Sequence, residues 1–229
     1  MKGAQLALPV QLRDTASFDS YYAGPNLDAV RALQELTQPV VIFGAPGSGR
    51  SHLLQASCRA HRGAYLPLDQ LYDAGVDVLG GYENSSTLFI DDTDTILDQR
   101  RWCIALLRTL DAVRVNGGRY VIALNRAPEH SRAALPDLTT RLQQCLVFGL
   151  KPLDDQHRAE LLQLRAHHRG FNLPQDVTRW LLNTLPRDTG SLLHALDQLD
   201  HNALRAKRRI TLPFAHAVLD PADEQTAPD

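Results

Sequence analysis

Apolar and polar positions divide the chain into short apolar runs and longer segments with helical spacing. The runs are nearly continuous in apolar side chains, which is typical of strands buried on both faces of a parallel sheet. They predict five strands, at residues 39–43, 64–68, 87–92, 119–125 and 145–150. One-faced apolar spacing predicts helices between strands at residues 26–36, 51–62 and 99–117, with Asn26 placed to cap the first. The alternation predicts an α/β domain with helices on both faces of a five-stranded parallel sheet.

The pattern changes after Pro152, where only helical spacing remains. Helical segments are predicted at residues 154–170, 174–185 and 190–207, followed by a short last element at 210–219. We therefore expect four parts in the chain. They are an N-terminal arm at 1–13, the α/β domain at 14–151, an all-helical domain at 152–220, and a polar, disordered tail at 221–229.

Charge and composition argue against several classes of protein. The formal net charge of the 229 residues is -2, so no overall basic field attracts nucleic acid. The three cysteines lie far apart without a C-x-x-C pair, which indicates neither a zinc site nor a disulfide framework. No apolar run approaches the roughly 18 residues of a membrane span, and the N-terminal apolar stretch is too short for a signal peptide. We expect a soluble, cytoplasmic protein with no membrane partner.

A glycine-rich loop joins the first predicted strand to the next helix. Its sequence, GAPGSGRS at 44–51, has the spacing of a phosphate-binding loop. Such glycines let backbone N–H groups point at phosphate oxygens, and the helix adds its positive N-terminal end. The predicted nucleotide-binding residues here are Gly44, Pro46, Gly47, Ser48, Gly49, Arg50, Ser51 and His52. The alternative is a glycine-rich turn that binds nothing.

Two positions of this loop decide its chemistry. Ser51 carries the hydroxyl that would ligate Mg²⁺. Arg50 stands where a lysine is usual. An arginine keeps the positive charge but is longer, planar and forked, so its contacts with phosphate differ. We expect nucleotide binding to survive and hydrolysis to be weakened, because hydrolysis depends on charge placed around the γ-phosphate.

Polar residues at the ends of two other strands extend this site. Asp91 and Asp92 end the strand at 87–92, on the side where parallel sheets bind ligands. Asp91 would hold Mg²⁺ through water, and Asp92 would polarise an attacking water. Asn125 ends the strand at 119–125 and could sense the γ-phosphate through that water. The alternatives are a carboxylate that caps the next helix and a plain turn residue.

Two arginines are candidates for contacts with phosphate from a distance. Arg141 follows a short helix before the fifth strand, where an arginine finger could enter a neighbour's nucleotide site. Arg187 begins a helix of the second domain and could reach back to the phosphates. An ordinary surface arginine is the alternative for each. The basic cluster at 205–209 is typical of a solvated helix end, and the pair His167–His168 has no further spaced ligand for a metal.

The order of these motifs, followed by a helical lid, resembles the AAA+ nucleotide-switch proteins. The chain is most similar to the DnaA branch, and within it to the regulatory inactivators of DnaA. Four stretches carry this likeness: GSGRSHLLQA (47–56), LPDLTTRL (135–142), RGFNLPQDV (169–177) and LDQLDHNALRAKRRITLPF (196–214). The resemblance covers nearly all of residues 5–220 and implies a P-loop AAA+ αβα sandwich with a C-terminal helical lid.

The resemblance also implies partners. The segment Gln5, Leu6, Ala7, Leu8 and Pro9 is similar to the peptide with which this family binds the sliding clamp, the beta subunit of DNA polymerase III. Leu6 and Leu8 would enter apolar pockets, and Pro9 would limit the freedom lost on binding. The implied activity is negative control of replication initiation. An ADP-bound (or ATP-bound) protein, with Mg²⁺ where present, would meet DNA through the clamp and drive hydrolysis of ATP on DnaA through Arg141.

Two features depart from the family pattern. Asp92 stands where another polar residue is frequent, and Asn125 stands where an aspartate is usual. Residual ATPase activity and the sensor role of Asn125 are therefore open, as is homo-oligomerisation. We expect no further DNA-binding domain after the lid, and we therefore expect the chain not to read an origin sequence. The rival interpretations are a clamp or helicase loader that turns over its own ATP, and an initiator-like factor that binds DNA through residues 205–209.

Overall fold

The computed structural model describes residues 16–186 and 188–219. It divides into two units, Met1–Pro152 and Leu153–Asp229. The predicted arm at 1–13 and the predicted tail at 221–229 lie outside the described residues. In the part that is described, no helix is both long and apolar enough to cross a bilayer.

The first unit is built on a parallel sheet. Its strands are β1 (Val40–Phe43), β2 (Ala64–Pro67), β3 (Thr87–Asp91), β4 (Arg119–Leu124) and β5 (Leu146–Gly149). They lie in the order β2-β3-β4-β1-β5, and every neighbouring pair is parallel. All five strands predicted from the apolar runs are present. The predicted α/β class with a five-stranded parallel sheet is thereby confirmed.

Helices cover both faces of this sheet. They are α1 (Leu27–Glu35), α2 (Arg50–His61), α3 (Leu68–Leu71), α4 (Arg100–Val115) and α5 (Pro136–Gln143), with short 3-10 turns in the connections. Side chains alternate along each strand, so Val40 and Ile42 pack with α1 and α2 whereas Val41 joins the core under α3, α4 and α5. The central strands are therefore buried on both faces, which explains their nearly continuous apolar runs. The edge strand β5 differs from the expectation, because its Leu146 and Val147 are exposed.

Asn26 does not act as the predicted cap of α1. It occupies the position before the helix, but its side chain makes no capping hydrogen bond. Instead Asn26 Nδ2 donates to the carbonyl of Lys151 at 3.1 Å, and Lys151 N donates to Asn26 Oδ1 at 2.7 Å. The amide thus joins the start of α1 to the segment after β5, a long-range pairing that local sequence does not reveal.

The second unit is all-helical over its described residues. Its helices are α6 (Asp155–His168), α7 (Gln175–Thr184), α8 (Thr189–Ala206) and α9 (Leu212–Leu219). Asp154 caps α6 by accepting from His157 N at 2.8 Å, and Asp188 caps α8 by accepting from Ser191 N at 2.8 Å. Apolar faces of the four helices meet in one core that includes Leu162, Leu181 and Leu196.

The sheet topology decides where ligands can approach the first unit. Because β1 and β4 are neighbours, with Phe43 paired to Leu124, the loops after these strands lie side by side. β3 lies on the other side of β4, so the loop after β3 is next to them. The carboxyl ends of parallel strands form the edge where α/β proteins bind ligands. The topology therefore gathers the glycine loop, Asp91–Asp92 and Asn125 at one edge.

Candidate functional site

The glycine loop has the backbone geometry that its sequence requires. Gly47 has φ of 81° and Gly49 has φ of 92°, both in the left-handed region that favours glycine. A Cβ atom on Gly44 would lie 2.7 Å from Ser48 Oγ, and one on Gly49 would lie 2.8 Å from Tyr21 Cε2. Side chains are thus excluded at the points where the loop curls, and the loop leads into the N-terminus of α2.

The loop also leaves one polar group without a partner. Ser48 Oγ is buried and makes no hydrogen bond among the described residues. A buried hydroxyl without a partner is costly, and such groups are normally satisfied by a ligand, an ion or water. This unsatisfied atom belongs to the glycine loop that leads into the N-terminus of α2, and helix N-termini are places where anions bind. The residues present therefore fit a phosphate group, and Ser51 lies in the first turn of α2 where the predicted Mg²⁺ ligand should be.

The Arg50 side chain forms a hydrogen bond with Asn125, which follows the neighbouring strand β4. Its Nη1 donates to Asn125 Oδ1 at 2.6 Å. Asn125 is fixed in turn, because its backbone N–H donates to Asp94 Oδ2 at 2.6 Å. The side chain at the usual lysine position therefore contacts the predicted sensor directly.

Asp91 is held from two sides and is 1% exposed. Tyr65 OH donates to Asp91 Oδ2 at 2.7 Å, and the N–H of Asp92 donates to Asp91 Oδ1 at 3.0 Å. Burial and the Asp91 carboxylate raise the pKa of Tyr65, so its phenol stays protonated and remains a donor. Each oxygen of Asp91 keeps a second lone pair, so a contact with Mg²⁺ through water remains compatible with these bonds.

Asp92 has an unusual backbone and an unusual acidity. Its φ is 51°, a left-handed conformation that Asp adopts more readily than most residues. Burial, followed by the charges of Asp91 and Asp69, raises the pKa of Asp92 to about 6, although Arg50 acts in the opposite direction. A carboxyl with a raised pKa, next to a buried carboxylate at a strand end, is typical of functional sites.

His52 is turned toward the segment that precedes α1. Its Nε2 lies 3.1 Å from the carbonyl oxygen of Ser17 and 3.1 Å from Ser20 Oγ. Its ring packs against that of Tyr21, with centroids 5.6 Å apart. His52 thus anchors the 17–21 segment on α2 beside the glycine loop, and its predicted contact with nucleotide remains a prediction.

Arg141 lies at the opposite end of the sheet from the glycine loop. It is in the last turn of α5, just before β5 begins, whereas the glycine loop follows the carboxyl end of β1. Its Nη2 lies 2.6 Å from Asp111 Oδ1, and its Nη1 donates to Gln144 Oε1 at 2.9 Å. Arg141 is therefore not part of this chain's own phosphate site, and its predicted role as an arginine finger remains a prediction.

Several predicted residues cannot be placed. The residues predicted to bind the clamp, Gln5, Leu6, Leu8 and Pro9, and the predicted lid arginine Arg187 lie outside the described residues. Within the ranges 16–186 and 188–219, no cluster of three or more His, Cys, Asp or Glu side chains could hold a metal ion. The basic residues of the cluster at 205–209 are all exposed at the end of α8.

Sequence reasoning missed three contributors to these sites. Tyr65 reaches Asp91 from the neighbouring strand, Asp69 raises the pKa of Asp92, and Asp111 pairs with Arg141. No local motif marks any of them. Only the pairing of β2 with β3 and the packing of α4 with α5 bring them to their partners.

The parallel sheet and the glycine loop have the arrangement of a P-loop nucleotide-binding fold. Residues 155–219 match the family model of the Hda lid domain. Domain III of the replication initiation protein DnaA from Thermotoga maritima superposes with a TM-score of 0.80, at 21% identity, over 92% of this chain and 98% of that chain. AMPPCP-bound DnaA from Aquifex aeolicus gives 0.68 at 18% identity, over 86% of this chain and 69% of that one.

The same fold is shared with a further solved structure. A RuvB variant from Thermotoga maritima gives a TM-score of 0.66 at 12% identity, over 89% of this chain and 73% of that one. At these identities the structures establish the shared fold, and the lid match distinguishes the branch. Residues 155–219 thus match the Hda lid domain, on a chain whose fold is that of DnaA domain III. The resemblance expected from the sequence, including the helical lid, is confirmed.

Proposed function

We propose that this protein is a negative regulator of chromosomal replication initiation. In this proposal it binds nucleotide, docks on the sliding clamp, and stimulates hydrolysis of the ATP bound to DnaA, which leaves inactive ADP–DnaA. The observation that carries the proposal is the match of residues 155–219 to the Hda lid domain, on a chain whose fold is that of DnaA domain III. The expected cytoplasmic location is part of the same proposal.

The glycine loop supports the nucleotide part of the proposal. Its backbone amides and the unsatisfied Ser48 Oγ would hold phosphate oxygens, while Ser51 and Asp91 would hold Mg²⁺. When bound, the nucleotide, ADP in our proposal, would supply the negative charge that these groups need. A bound ligand stabilises the form of the protein that binds it, so nucleotide would keep this edge of the sheet ordered.

The position of Arg141 supports action on a partner. It lies at the end of the sheet away from the chain's own phosphate loop, and it is 24% exposed. An arginine supplied in trans stabilises charge that develops on phosphate in the transition state of hydrolysis. We propose that Arg141 enters the nucleotide site of DnaA in this way.

The clamp would bring the protein to its partner. Gln5, Leu6, Leu8 and Pro9 would bind the sliding clamp, so that the chain meets DNA indirectly. Tethering two proteins to one DNA-loaded clamp raises their effective concentration, reaching the millimolar range for short flexible linkers. A weak contact with DnaA would then be sufficient for the protein to stimulate hydrolysis of the ATP bound to DnaA.

One experiment tests the proposal directly. Hydrolysis of radiolabelled ATP prebound to DnaA would be followed with and without this protein, on clamps loaded onto DNA and on clamps free in solution. We expect faster loss of ATP only when the protein and loaded clamps are both present. An unchanged rate of hydrolysis with both present would contradict the proposal.

A second candidate is an AAA+ loader that hydrolyses its own ATP. The observation that favours it is Asp92, a second carboxylate at the end of β3 where it could polarise water. Turnover of ATP by the isolated protein, lost in Asp92→Ala, would support this candidate. Absence of turnover together with stimulation of DnaA would support the first.

A further inference from the structure

A surface cavity of about 340 Å³ lies at the amino-terminal edge of the sheet, away from the glycine loop. Its walls come from the segments that lead into three neighbouring strands, namely residues 37–39 before β1, 117–118 before β4 and 144–145 before β5. The end of α4 supplies Arg114, and the start of β4 supplies Arg119. Sites for small molecules are concave and begin at about 300 Å³, so this cavity is large enough to hold a small ligand.

The charged side chains of this cavity are both cationic. Arg114 and Arg119 line it, and none of the residues around it is an aspartate or a glutamate. In the part of the chain that the structure describes, neither guanidinium is paired with a carboxylate. Burial raises the pKa of the Tyr120 phenol and the pKa of the Cys145 thiol, so these two lining groups stay neutral. The cavity lining therefore carries two positive charges and no negative one.

Most of the hydrogen-bonding capacity of these side chains consists of unused donors. Arg119 Nε donates to the carbonyl of Thr37 at 3.1 Å, which leaves its two terminal nitrogens, and the Arg114 side chain makes no hydrogen bond to the described residues. Gln144 Oε1 accepts from Arg141, so the amide nitrogen of Gln144 remains a donor. A ligand that satisfies these groups must bring acceptors and negative charge. Phosphate and carboxylate oxygens match the fork of a guanidinium group.

The rest of the lining suits the organic part of a ligand. The half-buried side chains of Pro39 and Cys145 offer non-polar atoms beside the arginines. An inorganic phosphate ion is much smaller than this cavity and would leave these atoms uncovered. A small organic molecule that carries two negative charges would cover them and would also balance both arginines.

We propose that this cavity is a binding site for a small organic dianion, whose phosphate group or pair of carboxylates is held by Arg114 and Arg119. Gln144 adds a neutral donor to the same ligand. The site is separate from the glycine loop, because the cavity precedes β1 and β4 whereas the loop and Asn125 follow them. The inference goes beyond the proposed function and requires neither a nucleotide nor DnaA.

NMR titration of the ¹⁵N-labelled full chain tests this, with glycerol 3-phosphate in one series and succinate in another. We expect at least one of them to shift the backbone amide signals of Gly117, Gly118 and Cys145, with a dissociation constant of about 1 mM or lower. The signals of Gly47 and Gly49 report on the glycine loop, which could also take phosphate, so the two sites are followed separately. Glycerol has the same carbon skeleton without the charge and should shift none of these signals. Shifts with only one of the two anions would identify the ligand as a phosphate ester or as a dicarboxylate.

Substitutions of the two arginines identify the groups that hold the ligand. Arg114→Gln and Arg119→Gln should each weaken binding at least about tenfold, since each removes a charge and its hydrogen bonds to the ligand. Arg108→Gln removes an exposed arginine from an earlier turn of α4 and is the matched control, which should leave the affinity unchanged. Amide spectra of the free variants would establish that each is folded, because signals distant from the substitution should keep their positions.

Three results would overturn the inference. The first is that neither anion shifts the signals of the cavity, and the second is that only the signals of the glycine loop move. The third is that Arg108→Gln weakens binding as much as Arg114→Gln does, because the anions would then follow the general charge of the surface. None of these results bears on the proposed function, which the assay of DnaA on loaded clamps tests by itself.

Discussion

Arg141 on α5 and Asp111 on α4 form an ion pair, with Nη2 of the arginine 2.6 Å from Oδ1 of the aspartate. The two side chains are 24% and 43% exposed, although the Asp111 Oδ1 atom of the pair is itself buried. Such partly exposed pairs contribute about 0–1 kcal/mol. This interaction orients the Arg141 side chain at the surface, but it is weak enough to be replaced by another contact. A partner that offers phosphate charge could take the arginine at little cost.

The first prediction concerns Arg141 itself. Arg141→Ala should bind clamp and nucleotide normally but stimulate hydrolysis on DnaA about a thousandfold less, the lower range for loss of an arginine finger. Single-turnover hydrolysis of DnaA-bound ATP on loaded clamps measures this. Arg108→Ala, which removes an exposed arginine from α4, is the matched control and should keep normal stimulation. Normal stimulation by Arg141→Ala would exclude the finger role.

The second prediction concerns the residue that holds Arg141. Asp111→Asn removes the charge that competes with the partner's phosphates, so Arg141 should transfer more readily. We expect stimulation of DnaA to rise by up to about fivefold, which corresponds to about 1 kcal/mol. The same assay at limiting concentrations of this protein would detect the change. A loss of stimulation would instead indicate that Asp111 is needed to position the arginine.

Most of the fold could be predicted because its signals are local. Near-continuous apolar runs marked all five strands, and one-faced spacing marked helices such as α4, predicted at 99–117 and found at Arg100–Val115. The role of Asn26 could not be predicted in this way. Its sequence context favours a helix cap, but its partner, Lys151, lies 125 positions away along the chain. Long-range contacts of this kind have no local pattern to reveal them.

In the candidate site too, local motifs could be predicted from the sequence and long-range contacts could not. The glycine loop and Asp91 were visible because their chemistry demands a fixed spacing in a fixed strand–loop–helix context. The bond from Arg50 to Asn125 depends on β1 and β4 being neighbours, although β2 and β3 lie between them in the chain. The contact of Tyr65 with Asp91 similarly depends on the register of β2 against β3. Spacing identified the residues, whereas topology decided their partners.

The third prediction concerns Tyr65. Tyr65→Phe removes the donor to Asp91 Oδ2 and leaves that oxygen of a buried carboxylate without its partner. We expect the free energy of unfolding to fall by about 1–3 kcal/mol. The affinity for nucleotide should also depend less on Mg²⁺, because Asp91 loses its fixed orientation. Urea unfolding and nucleotide titrations with and without Mg²⁺ measure the two effects.

A second tyrosine serves as the control for this change. Tyr82 is half-buried and packs against the core under α4. Tyr82→Phe should alter neither the Mg²⁺ dependence nor, by more than about 0.5 kcal/mol, the stability. If Tyr65→Phe behaved like Tyr82→Phe in both assays, the hydrogen bond to Asp91 would have no functional role.

The fourth prediction concerns the N-terminal arm. Gln5→Ala combined with Leu8→Ala should weaken clamp binding at least about a hundredfold, since an amide contact and an apolar anchor are lost together. Nucleotide affinity should be unchanged, because the glycine loop is separate from the arm in sequence. Surface plasmon resonance on immobilised clamp measures the first, and calorimetry measures the second. Unchanged clamp affinity would remove the tether from the proposed function.

The last prediction concerns the pH dependence of stability at Asp92. Its pKa is raised from the ordinary 3.8 to about 6, so the folded protein holds this proton more tightly than the unfolded chain does. The stability contributed by the protonated carboxyl is present below the unfolded pKa and is lost as pH rises through about 6.

Asp92→Asn cannot ionise, and asparagine tolerates the left-handed backbone at this position. The variant should therefore be more stable than the unmodified protein at pH 7.5, by about 1 kcal/mol after solvent screening is allowed for. At pH 3.5 the difference should be small, because the carboxyl of Asp92 is then mostly protonated in both the folded and the unfolded protein. Urea unfolding at the two pH values measures the change, and Asp73→Asn, which alters an exposed carboxylate, serves as control. The contrary result is that the variant and the unmodified protein differ in free energy of unfolding by the same amount at both pH values. That result would show that ionisation of Asp92 does not destabilise the fold.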